Sequence, residues 1–564
     1  MHRSWLKAAA LVALALVLGA GGAARPAPSP FAGNWKLLDV ADANETALLL
    51  FQVEEKDGKA QAKVLAAPLL SKEVSDVSID KFKIDDRAMQ FEVKSPRGTL
   101  LVRAYLTRNK SVLGSVVTEE KLKIAQFNRT DDTTLEADDA KSETAEGQAL
   151  AEAHGQKAAD EERDALKELI AKNAGKPVAY VAGQSYLQIL VRQGAKEEEL
   201  RAAAEDVIKN GAAFGVEVEK YAAAVVCQTL CRAEKVPTFA VEYGRRAEKA
   251  LTGDDPPGPS YVILDALATA LSRTGKDKEA KELESRVDKL EAAVNAEIEK
   301  TAVPFKPAEF KGRKGNSDRV AVVELFTGAY CPPCVAADVA FDAALKTYRP
   351  KDVIFLQYHV HIPRPDRLTN ADTDKRLQHY RAQGVPYSLL NGGPTKALGG
   401  PKEMGEQRFN TLREEIEDAL ETPAKASLKL IAERKDDKVA INAEVADPKK
   451  FGGNVYLRFL LVEEVARYRG GNGQRLHHHV VRAMPGGVDG VPIKDGRHGV
   501  TVDLGELRRT LDDYMTKFHG SPDGPFLDDE YPLRLKHLKV VALIQDDGSN
   551  EILQAAQVDV PEAK

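Results

Sequence analysis

The chain has 564 residues, 43% of them apolar, and a formal net charge of −6. This length calls for three or four domains, each with its own core. There is no concentrated basic patch of the kind a nucleic-acid binder needs, and four cysteines are too few for a disulfide-stapled scaffold.

The chain opens with a basic segment, residues 1–7, then an apolar run, 8–20, then Gly21-Gly22-Ala23-Ala24. This pattern predicts a signal peptide over 1–24, cleaved after Ala24; the alternative is an uncleaved anchor. The run is short for a membrane span, and no other stretch is long and apolar enough. The mature chain is therefore expected outside the cytoplasm, in the periplasm or envelope of a bacterium or secreted, with no stable membrane span. Disulfides persist in such compartments.

Residues 31–130 read as a small all-β domain, with strand-like runs at 47–53 and 100–106 and turn signals such as Lys56-Asp57-Gly58. Gly33-Asn34-Trp35 resembles the G-x-W start of lipocalin-like barrels; the alternative is a small barrel or sandwich without a ligand. Residues 131–160 are acidic and poor in large apolar side chains, which predicts a solvated linker, helical near its end.

Residues 161–303 carry a helical pattern with an internal repeat. Leu190-Val191-Arg192, Leu230-Cys231-Arg232 and Leu271-Ser272-Arg273 recur at spacings of 40 and 41 residues. Stacked helical pairs of the tetratricopeptide or HEAT kind have such a period, and serve either as a binding surface or as a spacer. Cys227 and Cys231 fall one helical turn apart in this array. They read as two buried small hydrophobes, or as an i,i+4 disulfide or auxiliary redox pair.

After a linker the chain reaches its most informative stretch. The apolar run Val320 to Phe326 predicts a buried parallel strand. Cys331-Pro332-Pro333-Cys334 follows, and then an Ala-rich segment with helical spacing, so both cysteines sit where a strand turns into a helix. Pro332 suits the first helical position. The positive end of a helix stabilises a thiolate, which makes Cys331 the expected exposed nucleophile and Cys334 the resolving thiol. A zinc half-site has the same C-x-x-C spacing. Downstream, Gly384-Val385-Pro386-Tyr387 precedes another strand.

With this second signal, residues 316–424 resemble the thioredoxin-like family, which pairs a C-x-x-C at its first helix with a cis-proline loop. The resemblance implies that Pro386 is the cis-proline and that Val385 offers backbone groups to a bound substrate. Tyr330 stands where the family often has Trp. It also implies that Glu324 is a buried acid whose raised pKa helps Cys334 deprotonate, although the family's acid stands one residue closer to the cysteine. The alternative is an outward-facing Glu324. His359 and His361 alternate on the next predicted strand, 353–361. With Cys331 and Cys334, His359 could complete a copper or zinc site; otherwise these histidines are satisfied in the core or tune Cys331.

Residues 425–564 return to strand alternation at 426–432, 438–445, 455–462 and 539–545, with one helix over 504–517. They predict a β-sandwich of immunoglobulin type. His477-His478-His479 lies within it and reads as surface or core histidines rather than a metal cluster, because alternation points His478 away from the other two.

The fold class expected is therefore multidomain: an N-terminal all-β module, a helical-repeat domain, a thioredoxin-like α/β domain and a C-terminal β-sandwich. The activity expected is thiol–disulfide exchange through Cys331 and Cys334 with protein thiols or disulfides and a redox partner, and no organic cofactor is implied. The alternatives are a redox-inert scaffold of the envelope and a copper or zinc carrier.

Overall fold

A computed structural model describes residues 29–562, apart from 57–58, 86, 119–120, 234, 494–495, 520, 522–525 and 527–531. The leader expected at 1–24 lies outside the described residues. The chain divides into two compact units, Met1–Val294 and Asn295–Lys564.

The first unit begins with β1 (Gly33–Asp39), β2 (Glu45–Lys56), β3 (Lys59–Ala66), β4 (Ser78–Ile84), β5 (Ala88–Ser95), β6 (Gly98–Leu106), β7 (Val112–Val117), β8 (Leu122–Thr130) and β9 (Lys141–Ser142). They form one sheet in the order β3-β2-β1-β8-β7-β6-β5-β4, with β9 on β2. Because β1 pairs antiparallel with both β2 and β8, the meander curls back on itself. Inward side chains alternate with outward ones, as a two-residue period requires. Trp35, Phe51, Phe91 and Phe127 fill the interior.

Eight helices follow among the described residues: α1 (Ala145–His154), α2 (Ala159–Lys172), α3 (Pro177–Arg192), α4 (Glu197–Ala212), α5 (Val216–Leu230), α6 (Ala240–Lys249), α7 (Pro257–Arg273) and α8 (Asp277–Ala302), whose last turns, from Asn295 on, belong to the second unit. The internal repeat marks the ends of α3, α5 and α7. The stretch expected as a solvated linker, 131–160, is tied down: β9 pairs with β2, and Thr144 caps α1 by accepting from the Gly147 N–H at 2.8 Å. The β and helical regions also pack together. Glu217 of α5 pairs with Arg103 and accepts from the Tyr105 hydroxyl of β6 at 2.7 Å. Cys227 and Cys231 are free thiols, both buried.

The second unit contains β10 (Ala321–Thr327), α9 (Cys334–Thr347), β11 (Val353–His359), α10 (Ala371–His379), β12 (Tyr387–Leu390), β13 (Gly393–Pro394), α11 (Gly405–Leu420), β14 (Leu428–Lys435), β15 (Lys438–Val445), β16 (Val455–Arg467), β17 (Leu476–Ala483), β18 (Val491–Pro492), β19 (Arg497–Asp503), α12 (Leu504–His519), β20 (Leu538–Asp546) and β21 (Ile552–Asp559). The segments expected as two domains, 316–424 and 425–564, share one sheet in the order β13-β12-β10-β11-β17-β16-β20-β21. Gln357 of β11 registers in parallel with Val480 of β17. The physical reason is burial. Like β10 and β11, strand β17 is covered on both faces along most of its length, and such strands belong inside a sheet.

Among the described residues, β14, β15 and β19 form a separate, three-stranded sheet. Its apolar face, with Leu430, Val439 and Ile441, packs on Leu457, Phe459 and Val540 of the large sheet. The C-terminal strands thus build two layers, one of which continues the sheet that carries the cysteine segment. No helix among the described residues is long and apolar enough to cross a membrane.

Candidate functional site

Strand β10 ends at Thr327, and a short turn carries the chain through Gly328, Ala329 and Tyr330 to Cys331. The Cys331 N–H donates to the Gly328 carbonyl at 2.9 Å. Helix α9 begins at Cys334, so the helical start lies two residues later than Pro332, which stands outside the helix. Cys331 and Cys334 are joined as a disulfide with their Cα atoms 5.3 Å apart.

The pair is more covered than expected: Cys331 is 2% exposed and Cys334 fully buried. The Val385 carbonyl oxygen lies 3.8 Å from Cys331 Sγ, and the Val385–Pro386 bond is cis. Cys331, Val385 and Pro386 are therefore brought together. Gly400 ties the neighbouring loop to the turn: its N–H donates to the Pro333 carbonyl at 2.8 Å and its carbonyl accepts from the Ala336 N–H at 3.1 Å. Tyr330 is half-buried, and its hydroxyl accepts from that of Tyr468 at 3.4 Å.

Glu324 is placed elsewhere. Successive residues of a strand face opposite ways. Val323 and Leu325 pack with Ala337, Ala340 and Phe341 of α9, whereas Val322 and Phe326 pack with Tyr358 and Tyr380. Glu324 shares this second face. Its carboxylate accepts from Arg376 Nη2 at 2.9 Å and Nε at 3.1 Å, and from the hydroxyls of Tyr358 at 2.8 Å and Tyr380 at 2.5 Å. Glu324 is buried, as expected, but its partners are Arg376 and two tyrosines on the side of the sheet away from α9. The role expected of it behind Cys334 is corrected accordingly.

The acid on the α9 side is Asp338, which sequence reasoning missed. It lies four residues beyond Cys334, the spacing that puts two side chains on one helical face. Its Oδ1 accepts from the Thr327 hydroxyl at 2.9 Å and from Gln357 Nε2 at 3.2 Å. Its Oδ2 is buried without a partner among the described residues. Burial pushes this carboxyl well above the usual carboxylate range. The negative charges of Asp342 and Asp366 add to the rise, and the two hydrogen bonds oppose it. A signal existed in the sequence: an acid at i+4 from a cysteine in an otherwise apolar, Ala-rich helix.

Next to Asp338 runs a buried polar line. Gln357 Oε1 lies 3.3 Å from His359 Nε2, and His359 Nδ1 lies 2.8 Å from Asp366 Oδ2. Asp366 also accepts from the backbone N–H of Ala329 at 2.6 Å and of Leu368 at 2.8 Å. Burial works against its charge, yet His359 and these N–H groups outweigh it and hold Asp366 below the usual carboxylate range. His359 is thus engaged by Asp366 and Gln357, and it meets His477 edge-on with ring centroids 4.6 Å apart. The metal set expected of Cys331, Cys334 and His359 is not assembled. Among the described residues no group of three or more His, Cys, Asp or Glu is arranged to hold a metal ion. His361 leaves this line and stacks on Phe518 at 3.6 Å.

The three adjacent histidines have different partners; His477 and His479 are buried and His478 is half-buried. His477 lies 3.0 Å from the Tyr468 carbonyl and His479, at φ 54°, 3.0 Å from that of Phe355. His478 sits between two carboxylates, 2.7 Å from Asp342 of α9 and 2.6 Å from Glu299 of α8. Burial opposes charge on His478, but the two carboxylates outweigh it and raise its pKa to about 10. His478 in turn holds Glu299 down to about 2, against its burial and with help from Lys346.

No family model matches the chain, and no curated protein does. Among solved structures, HBP35 of Porphyromonas gingivalis is similar over 44% of this chain and 78% of its own length, at 16% identity and a TM-score of 0.32. That likeness is too distant to identify a fold or an activity.

Proposed function

We propose that the chain is an exported thiol–disulfide oxidoreductase whose Cys331–Cys334 pair stands in a thioredoxin-like segment. The observation that supports it best is the meeting of the disulfide at a strand-to-helix turn with the Val385 carbonyl 3.8 Å from Cys331 Sγ. In the reducing direction, the Cys331 thiolate attacks a client disulfide. One client sulfur leaves as a thiolate, and the other stays in a mixed disulfide. The Cys334 thiol then passes its proton to the Asp338 carboxylate. Its sulfur attacks Cys331 Sγ and releases the second client thiolate. The pair ends as the disulfide, with Asp338 neutral. Regeneration takes two electrons from a dithiol donor; the oxidising direction runs the same steps backwards.

Helix α9 presents its N-terminal end to the pair, which favours thiolate at Cys331. Val385 and Pro386 hold the client strand, and Tyr330 borders it. The test is insulin reduction with dithiothreitol as donor, followed by maleimide labelling of the reduced protein. Turnover that stops when Cys331 is alkylated supports the proposal. A pair that neither reacts with maleimide after reduction nor turns over insulin overturns it.

The slight exposure of Cys331, 2%, favours a second reading. In it the disulfide is a structural staple, and the chain is a redox-inert binding protein of the envelope. The same labelling experiment separates the two.

A further inference from the structure

The polar line beside Asp338 meets the cysteine segment at both of its ends. At one end Gln357 Nε2 donates to Asp338 Oδ1, to which the Thr327 hydroxyl also donates. At the other end Asp366 Oδ2 accepts from the Ala329 N–H, two residues before Cys331, and faces His359 Nδ1. Between them, His359 Nε2 faces Gln357 Oε1. Asp338, Gln357, His359 and Asp366 are all buried.

An amide side chain has one donating and one accepting end, so His359 decides which end of Gln357 reaches Asp338. Both nitrogens of the His359 ring face acceptor oxygens, one on Asp366 and one on Gln357. With Gln357 Oε1 held by the ring, Nε2 is left for Asp338. Turned over, the amide would set oxygen against oxygen at Asp338 and donor against donor at His359. A hydrogen bond to a carboxylate favours its charged form. This one also occupies Oδ1 and leaves Oδ2 as the oxygen without a partner among the described residues. The other charged groups nearby do not take over this part. Asp342, one turn along α9, and Asp366 both oppose charge on Asp338, and Asp342 is itself tied to His478. His477 bonds the Tyr468 carbonyl, and its burial and then the charge of His359 hold it down to about 3, so it adds no cation at neutral pH. Glu324 and Arg376 pair on the other face of the sheet.

We infer that Gln357, aimed by the His359–Asp366 pair, is a positioning residue for the exchange: it holds Asp338 Oδ1 and directs the proton that leaves Cys334 Sγ to Oδ2. As that S–H bond breaks, its electron pair stays on the sulfur and forms the bond to Cys331 Sγ. The client sulfur then leaves as a thiolate with the pair of the mixed disulfide. This inference rests on the oxidoreductase reading and adds the residues that ready its proton acceptor.

The experiment follows one turnover of the full chain. Reduced protein is mixed with hydroxyethyl disulfide, the reaction is quenched with acid at intervals, and decay of the mixed disulfide is read by mass spectrometry across a series of pH values. In the parent the decay slows on the acid side as Asp338 takes up a proton. Gln357→Met removes the amide donor and keeps the His359–Asp366 pair. Its acid limb moves up by about one pH unit, which is about a tenfold loss of rate on that limb. His359→Phe leaves the amide unaimed and moves the limb the same way; should that variant not fold, Gln357→Met carries the test. In an Asp338→Asn background neither substitution moves the profile, because residues that act through one group do not add. A limb unchanged in Gln357→Met or in folded His359→Phe, or one that still moves in the Asp338→Asn background, overturns the inference, while decay of the mixed disulfide in the parent leaves the oxidoreductase reading standing. A parent that never forms or resolves a mixed disulfide removes that reading and the inference with it.

Discussion

Asp338 lies one helical turn beyond Cys334 in α9 and keeps one oxygen, Oδ2, buried with no partner among the described residues. The unpartnered oxygen leaves room for a proton that Cys334 gives up or receives.

Asp338→Asn removes that acceptor but keeps the carbonyl oxygen that Thr327 and Gln357 bind. General acid–base catalysis contributes about 10²-fold or more, so turnover at pH 7 falls by about that factor. It recovers as pH rises towards the ordinary thiol range, about 8.5. Stability moves the other way. The carboxyl is raised in the fold, so the parent loses stability as pH rises above the ordinary carboxylate range, about 4. The variant does not titrate. It is therefore the more stable form at neutral pH, by about 1–3 kcal/mol, and the difference vanishes below about pH 4. Urea unfolding at pH 3.5 and pH 7 and a pH–rate profile check both halves; a parent and variant with the same profile would remove Asp338 from the mechanism.

Glu324→Gln serves as the contrast. Removing one partner of a buried ion pair costs about 3–5 kcal/mol, so the midpoint of urea unfolding drops sharply. The pH dependence of exchange stays that of the parent, because Glu324 faces Arg376 and not α9. A shifted pH–rate profile in this variant would restore Glu324 as the proton acceptor.

The cysteines have separable roles. Cys331→Ser abolishes turnover. Cys334→Ser keeps the attacking thiolate but loses resolution, so it accumulates mixed disulfides with client proteins, visible as dithiothreitol-sensitive bands on a non-reducing gel. If both serine variants reduced insulin at the parental rate, the pair would have no part in the reaction.

His478 is a charged bolt between Asp342 on the cysteine helix and Glu299. Its pKa is raised by folding, so its contribution is complete below the ordinary histidine value, about 6.5, and is lost as pH rises through about 10. His478→Gln leaves the buried Asp342 carboxylate without its cation, while the half-buried Glu299 keeps Lys346, at a cost of about 3–5 kcal/mol at pH 6. Unfolding measured at pH 6, 8 and 10.5 should show the gap between parent and variant closing with pH. A gap that stays constant would mean that His478 is not the titrating group.

What is legible in the sequence is local. The strand, C-P-P-C and helix run together within a few turns of chain, and the repeat at Arg192, Arg232 and Arg273 falls where α3, α5 and α7 end. What escapes is set by faces and by long-range pairing. With a two-residue period, neighbouring positions in a strand point to opposite sides. That puts Glu324 among Arg376 and two tyrosines, although the residues flanking it pack against α9. Asp338 gains meaning only when Thr327 and Gln357, 11 and 19 residues away, close over it. The strand around His477 reads as part of a sandwich because its neighbour β11, more than a hundred residues earlier, leaves no local mark on it.

The shared sheet also decides how this half of the protein can be handled. Strand β11 lies between β10 and β17, so cutting the chain near residue 424 would strip one side of a strand buried on both faces. Such a bare edge pairs with other chains. The cysteine segment is therefore not a detachable cassette: an excised fragment 316–424 would be expected to aggregate, and the intact half to melt in a single cooperative step.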